Sequence, residues 1–200
     1  MMPEEQMASE VSESMEGMPQ GIAALLAQAG DPARARPVER WDPPYCGEID
    51  MHVAADGTWH YRGGPIGREA LVRLFASILR REPDGRYVLV TPVEKVGIVV
   101  EDAPFLAVEM AVEGEGKAAS LTFRTNVGDI VTADSDHPLR FDAEIGTGGV
   151  KPYLRVRGGL EALLARSVTH QLLDRLEHME GRPGIRSAGS FFPIPETAIG

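Results

Sequence analysis

Arg140, Asp142 and Glu144 alternate along one run of the chain, and Lys151, Tyr153, Arg155 and Arg157 alternate along the next. In extended strands alternate residues share a face, so seven polar side chains would stand together. Four of the seven are cations, a local positive bias in a chain of net charge -10. Such a face suits an anionic ligand through charge-assisted hydrogen bonds. The same pattern also fits a solvated sheet face with cross-strand ion pairs, worth about 0.2–1 kcal/mol each. An earlier and sparser face carries Asp50, His52, His60 and Arg62.

Other residues suggest chemistry more weakly. Thr91-Pro92-Val93-Glu94-Lys95 reads as a turn, where Glu94 and Lys95 form an acid–base pair or are simply turn charges. Asn126 to Asp129 is a tight turn, which Asn126 and Gly128 explain by local bonds and positive φ. Asp134-Ser135-Asp136-His137 brings oxygen and imidazole together, yet no second cluster with ligand spacing accompanies it. His170 and His178 are eight residues apart on an expected helix, too far for one metal. No metal is assigned. Arg62-Gly63-Gly64-Pro65-Ile66-Gly67 places three glycines ahead of a helix, matches no dinucleotide fingerprint and reads as a plain connection. A phosphate loop and a nucleophile elbow are both lacking. The single cysteine, Cys46, has no base nearby and reads as a packed thiol.

The elements that would hold these residues follow from hydrophobic period. Ile49, Met51 and Val53 alternate with Glu48, Asp50 and His52. Asp56-Gly57 predicts a hairpin, with a return strand from Thr58. Leu71, Leu74, Phe75, Ile78 and Leu79 recur at helical spacing. A second strand–hairpin–helix run begins at Arg140, where Arg157-Gly158-Gly159 mirrors Arg62-Gly63-Gly64 and Glu161-Ala162-Leu163 mirrors Glu69-Ala70-Leu71. We therefore expect residues 48–82 and 140–177 to be copies of one unit. The final helix should start near Gly159, with Leu160, Leu164, Val168, Leu172 and Leu176 as its stripe and Ser167 as a cap that breaks it. Between the two runs lies an antiparallel β meander. The tail, with Phe191, Phe192 and Ile194, should fold back onto the body.

The expected organisation is α+β, with two small domains, the repeated hairpin-plus-helix motif and the meander. Residues 1–20 form a disordered acidic arm with five Glu and no Lys or Arg. Residues 21–44 hold a short helix, ended by Gly30, and a Pro/Arg-rich linker whose Trp41 packs on the first domain. Residues 45–85 make an N-terminal α+β domain, and residues 86–200 a β-rich one with the closing helix and tail. The acidity argues against nucleic-acid partners. The lack of a long apolar run argues against a membrane span, and the N-terminus has no signal peptide pattern, so the cytoplasm is expected.

Four ordered signatures resemble one family. They are Asp56-Gly57-Thr58-Trp59 with Pro65-Ile66 and Arg68; Leu89 through Lys95; Thr125-Asn126, Asp129 and His137-Pro138-Leu139-Arg140; and Tyr153, Arg157 and Gly159 through Leu163. Together, over about residues 43–173, they are similar to the domain-of-unknown-function 1285 family of bacterial proteins. The resemblance implies two small α+β domains with a repeated motif, no established activity and a suggested role in signal transduction. His52, His60 and the acidic arm fall outside it.

The first functional expectation is a non-catalytic regulatory module that binds a small anionic ligand between the repeats. Its ligand-binding candidates are Glu94, Lys95, Asn126, Asp129, His137, Arg140, Tyr153 and Arg157. An alternative is an enzyme of unfamiliar type, with Glu94 or His137 as acid–base and Arg140 or Arg157 as anion clamp. A third is an interaction scaffold using the tail and the N-terminal helix. The cofactor and any homo-oligomer stay open.

Overall fold

The computed structural model describes residues 18–27, 36–144 and 149–195. Most of the acidic arm, Gly30 and the turn at 145–148 lie outside the described residues.

The first sheet opens as the sequence predicts, but Leu79, expected on the helix, lies in a strand. Strand β1 (Tyr45–Val53) turns at Asp56-Gly57 into β2 (Trp59–Tyr61), in antiparallel register with Met51 opposite Tyr61 and Val53 opposite Trp59. Met51, Val53 and Trp59 are buried as the alternation requires. A two-residue strand, β3 (Gly64–Pro65), completes a small meander. Helix α2 (Glu69–Ser77) then buries Leu74, Phe75 and Ala76, with Phe75 stacked 6.2 Å from Trp59. Strands β4 (Leu79–Arg81), β5 (Tyr87–Val90) and β6 (Lys95–Val100) form a second meander. Strand β6 pairs in parallel with β1, so the sheet order is β3-β2-β1-β6-β5-β4. The division expected at 85/86 therefore falls inside this sheet, which runs on to Val100.

Ahead of it, α1 (Gln20–Ala27) is the first described helix, and its Ile22 is fully buried. The linker, read as extended, tightens into a 3-10 turn at Val38–Arg40. Its cause is Arg80, which is 8 % exposed and donates Nη1 to the carbonyls of Val38 (2.8 Å) and Trp41 (2.6 Å). Trp41 packs on the core as expected.

The second sheet contains β7 (Phe105–Glu113), β8 (Ser120–Thr125), β9 (Ile130–Thr132), β10 (Leu139–Ala143), β11 (Val150–Arg157) and β12 (Leu160–Leu164). Its order is β10-β11-β12-β7-β8-β9, with β12 parallel to β7. Read from the other edge, it repeats the order of the first sheet: two three-stranded meanders joined by a parallel pair. This order matches β7–β9 to β1–β3, not the run at Arg140 to the run at Glu48. Among the described residues the first meander of the first sheet and the last meander of the second are each followed by a helix.

The expected helix at Gly159 is corrected. Leu160, Ala162 and Leu164 are buried alternately and form β12. Leu160 and Leu164 satisfy helical spacing as well, and Leu, Glu and Ala favour helix. Pairing between β11 and β7 overrides that preference. Helix α3 (Arg166–Leu173) starts only afterwards, lays Val168 and Leu172 on the sheet, and contains Ser167 instead of being capped by it. The mirrored glycines also shift by one residue. Arg62-Gly63 (φ 51 and 78) and Gly158-Gly159 (φ 48 and 78) are equivalent left-handed hairpin turns, so Arg157 stands where Tyr61 does.

The tail folds back, as the apolar density suggests. Strands β13 (Glu177–Met179), β14 (Arg182–Ser187) and β15 (Ser190–Pro193) make a three-stranded sheet that buries Ile185, Phe192 and Ile194. The buried Ser187 hydroxyl accepts the Leu121 N–H at 2.8 Å, which ties this sheet to β8. Gly184 on β14 has no space for a side chain: a Cβ would lie 2.4 Å from the Phe191 ring and 2.6 Å from the Phe192 carbonyl. Gly184→Ala should destabilise the protein by about 1–3 kcal/mol, the usual cost of overpacking, measured by urea unfolding.

Candidate functional site

The eight candidate residues separate into distinct places. Glu94 and Lys95 are adjacent but point apart. The Glu94 carboxylate accepts the N–H groups of Gly21 (2.6 Å) and Ile22 (3.2 Å), the first turn of α1. It is an N-cap supplied from more than seventy residues away, favoured by the unpaired amides and the positive helix end. Buried Thr91 shapes the loop: its hydroxyl accepts the N–H groups of Val93 and Glu94. A Cβ at Gly21 would lie 2.5 Å from that hydroxyl, so the socket admits only glycine there. Lys95 instead faces Asp42 and Glu82, each at 3.6 Å.

A second cluster surrounds Arg140 and Tyr153, which are directly paired across β10 and β11. The Arg140 guanidinium bonds Glu161 (3.1 and 3.0 Å) and Asp142 and lies 4.2 Å from the Tyr153 ring centre. These bonds, with Glu161 foremost, raise its pKa further above the ordinary arginine value. The Tyr153 hydroxyl donates to Asp102 at 2.8 Å, and burial followed by that carboxylate pushes the phenol upward. Lys151 pairs with the same Asp102, which raises its pKa. The cations expected to clamp an anion here are already neutralised by Glu161, Asp142 and Asp102.

The third place brings three candidates together. Asp129, His137 and Arg157 line a cavity of about 280 Å³ with Ile130, Val131, Thr132, Asp134 and Val156. Arg157 Nη1 meets Asp129 Oδ2 at 2.5 Å, its Nη2 donates to the Ala76 carbonyl at 2.8 Å, and its charge sits 4.9 Å from the Phe105 ring centre. Ala76 belongs to the last turn of α2, so an arginine of the second sheet holds a carbonyl at the negative end of a first-domain helix. Asn126 works beside it. Its Oδ1 accepts the Leu106 N–H at 3.0 Å, and its Nδ2 reaches the Gly57 carbonyl at 3.5 Å, again across the two sheets. His137 is oriented by Asp134, whose Oδ1 lies 3.1 Å from Nδ1 and accepts the His137 N–H at 2.8 Å.

Asp129, His137 and Arg157 therefore converge, with Asn126 at the adjoining seam. Glu94, Lys95, Arg140 and Tyr153 do not join them. Glu94 and Arg140, the acid–base and clamp of the alternative reading, are bonded to different groups: the first turn of α1 and Glu161. Sequence reasoning missed Asp102, Glu161 and the Ala76 carbonyl as partners. A carboxylate in a turn or on a strand and a backbone oxygen carry no local signal of a contact 21 to 81 residues away. Among the described residues no group of three or more His, Cys, Asp or Glu is arranged to hold a metal, and no helix is long and apolar enough to cross a membrane.

Two expectations test this geometry. Glu94→Ala should free the first turn of α1 at a cost of about 0.5–2 kcal/mol and speed amide exchange in residues 20–27, while leaving β1 protected. The Asp134 carboxyl is held below its ordinary 3.8, chiefly by the His137 N–H. A depressed folded-state value means the turn is supported fully above 3.8 and loosens as pH falls through the lower value. A pH series of the Asp136 amide, which also donates to the Asp134 carboxylate, should show that hydrogen bond being lost in that acid range.

The comparisons agree with this architecture. A model described as the N-terminal domain of DUF1285, a domain of unknown function, matches residues 36–103, and one for the C-terminal domain matches residues 104–194. The join at 103/104 falls in the turn between β6 and β7. A crystal structure of a DUF1285 family protein from Silicibacter pomeroyi DSS-3 is 49% identical, covering 88% of this chain and 96% of that one, with a TM-score of 0.81. Another, from Shewanella baltica OS155, is 29% identical over 63% of this chain and 91% of that one, with a TM-score of 0.50. No curated protein matches. The chain belongs to the DUF1285 family.

Proposed function

We propose that this chain is a non-catalytic regulatory module, acting in signal transduction, that takes a small anionic ligand in the Asp129–His137–Arg157 pocket. The observation that carries the reading is the double engagement of Arg157. One nitrogen faces Asp129 at the pocket and the other holds the Ala76 carbonyl of α2. An anion entering the pocket competes with Asp129 for the guanidinium and is oriented by His137. Any turn of the guanidinium toward the ligand changes its hold on α2, so occupancy is passed from one sheet to the other. The planar fork of arginine is needed for this, because a lysine presents a point charge and cannot serve both partners in fixed geometry.

The test is thermal unfolding of the full chain with nucleotides, phosphorylated metabolites and simple carboxylates. A ligand at a hundred times its Kd adds about 2.7 kcal/mol, or roughly 5–10 °C for a protein of this size. Arg157→Lys should weaken that ligand at least tenfold, and its binding should alter amide exchange at the C-terminal turn of α2. A folded protein that no anion stabilises at millimolar concentration would overturn the ligand. Binding that leaves α2 unchanged would overturn the regulatory part.

A further inference from the structure

Two arginines without an ion-pair partner among the described residues share a cavity on the first domain. Arg140, Lys151 and Arg157 are each paired with carboxylates, whereas the guanidinium groups of Arg62 and Arg68 have no ion-pair partner among the described residues. Both line one cavity of about 270 Å³, on the first domain. The rest of its wall is chiefly apolar: Met18, Tyr61, Ile66 and Leu71 are half-buried and pack against the core. Arg62 is fixed by its backbone. It occupies the left-handed region at φ 51, its N–H donates to the Asp50 carbonyl at 2.9 Å, and its charge sits 5.4 Å from the Tyr61 ring centre. The nearest helix-borne carboxylate in sequence, Glu69, is occupied by Arg73 at 3.3 Å.

The geometry points to a second binding site here, for a small amphiphilic anion. Its carboxylate or phosphate head bridges Arg62 and Arg68, and its short apolar body lies against Met18, Tyr61, Ile66 and Leu71. The cavity is near the lower end of ligand-site volumes, about 300–1,000 Å³, so the body is no larger than one aromatic ring or a short alkyl chain. Neither half of the site suffices alone. The arginines are solvent-exposed, where a bare ion pair is worth little, and the apolar wall is too small to hold a neutral group tightly. Met18 makes Glu94 part of this arrangement. Met18 precedes α1 by two residues, and Glu94 anchors the start of that helix, so the cap holds one wall of the cavity in place. Glu94 is thus a positioning residue for this site and touches no ligand.

The experiment is calorimetric and NMR titration of the full chain with phenyl phosphate, inorganic phosphate and benzyl alcohol. Phenyl phosphate should bind saturably and at least tenfold more tightly than either fragment, shifting amides of residues 61–71. Arg62→Gly, which keeps the left-handed backbone, and Arg68→Gln should each weaken it at least fivefold. Arg68→Lys should recover part of the loss. Glu94→Ala should weaken it about threefold without abolishing it, whereas Arg157→Lys should leave it unchanged, which separates this site from the Asp129–His137–Arg157 pocket. Inorganic phosphate binding as tightly would mean an adventitious ion only, and benzyl alcohol binding as tightly would mean an apolar hole. Either result overturns the proposal, as does phenyl phosphate binding that ignores both arginine variants.

Discussion

The guanidinium of Arg157 is the contact on which the joining of the two halves turns. It is held by a carboxylate from the second sheet, an aromatic face beneath it and a helix carbonyl from the first. Each partner would be weak alone at this degree of exposure. Together they fix one planar group in one orientation, and Asn126 does the same for the Gly57 turn nearby. Apolar packing continues beneath both, in a core that runs from Met51 and Trp59 through Phe105 and Phe123 to Leu172. The polar contacts select how the two sheets meet, and the core supplies the free energy.

The distribution of charge follows a similar division. The acidic composition neutralises several of the cations. Asp102, Asp129, Asp142 and Glu161 take up Arg140, Lys151 and Arg157 of β10 and β11, and Glu82 serves both Arg80 and Lys95. Carboxylates placed this way act as structural counter-ions. Arg62 and Arg68, on the first domain, stay outside that arrangement, with no ion-pair partner among the described residues.

How much of this could be read from the sequence depends on the distance over which each contact acts. The alternation at Met51 and Val53, the Asp56-Gly57 turn and the spacing of Leu74 and Phe75 are local, and the strands, hairpin and helix they imply are present. Leu160 to Leu164 satisfied two periods at once, and the choice between them was made by neighbours β11 and β7. Asp129, His137 and Arg157 were identifiable by type, and their convergence depends on the second sheet closing. The tie from Arg157 to α2 ends on a backbone oxygen, which no sequence pattern marks. Glu94 was legible as a charged loop residue, yet its task became visible only with α1 seated against it.

The parallel pairing of first and last strands has a consequence for how the chain is made. In each sheet the opening strand waits for the closing one: β1 for β6, and β7 for β12. The first sheet can close once Val100 has left the ribosome, while the second keeps an open edge on β7 until Leu164 follows. During synthesis the N-terminal half is therefore complete while the Phe105–Ala107 end of β7 still lacks its parallel partner. An unfinished edge of that kind templates pairing with another chain. The interval between the emergence of Phe105 and of Leu164 is a period in which the growing chain offers that edge to its neighbours on the same message.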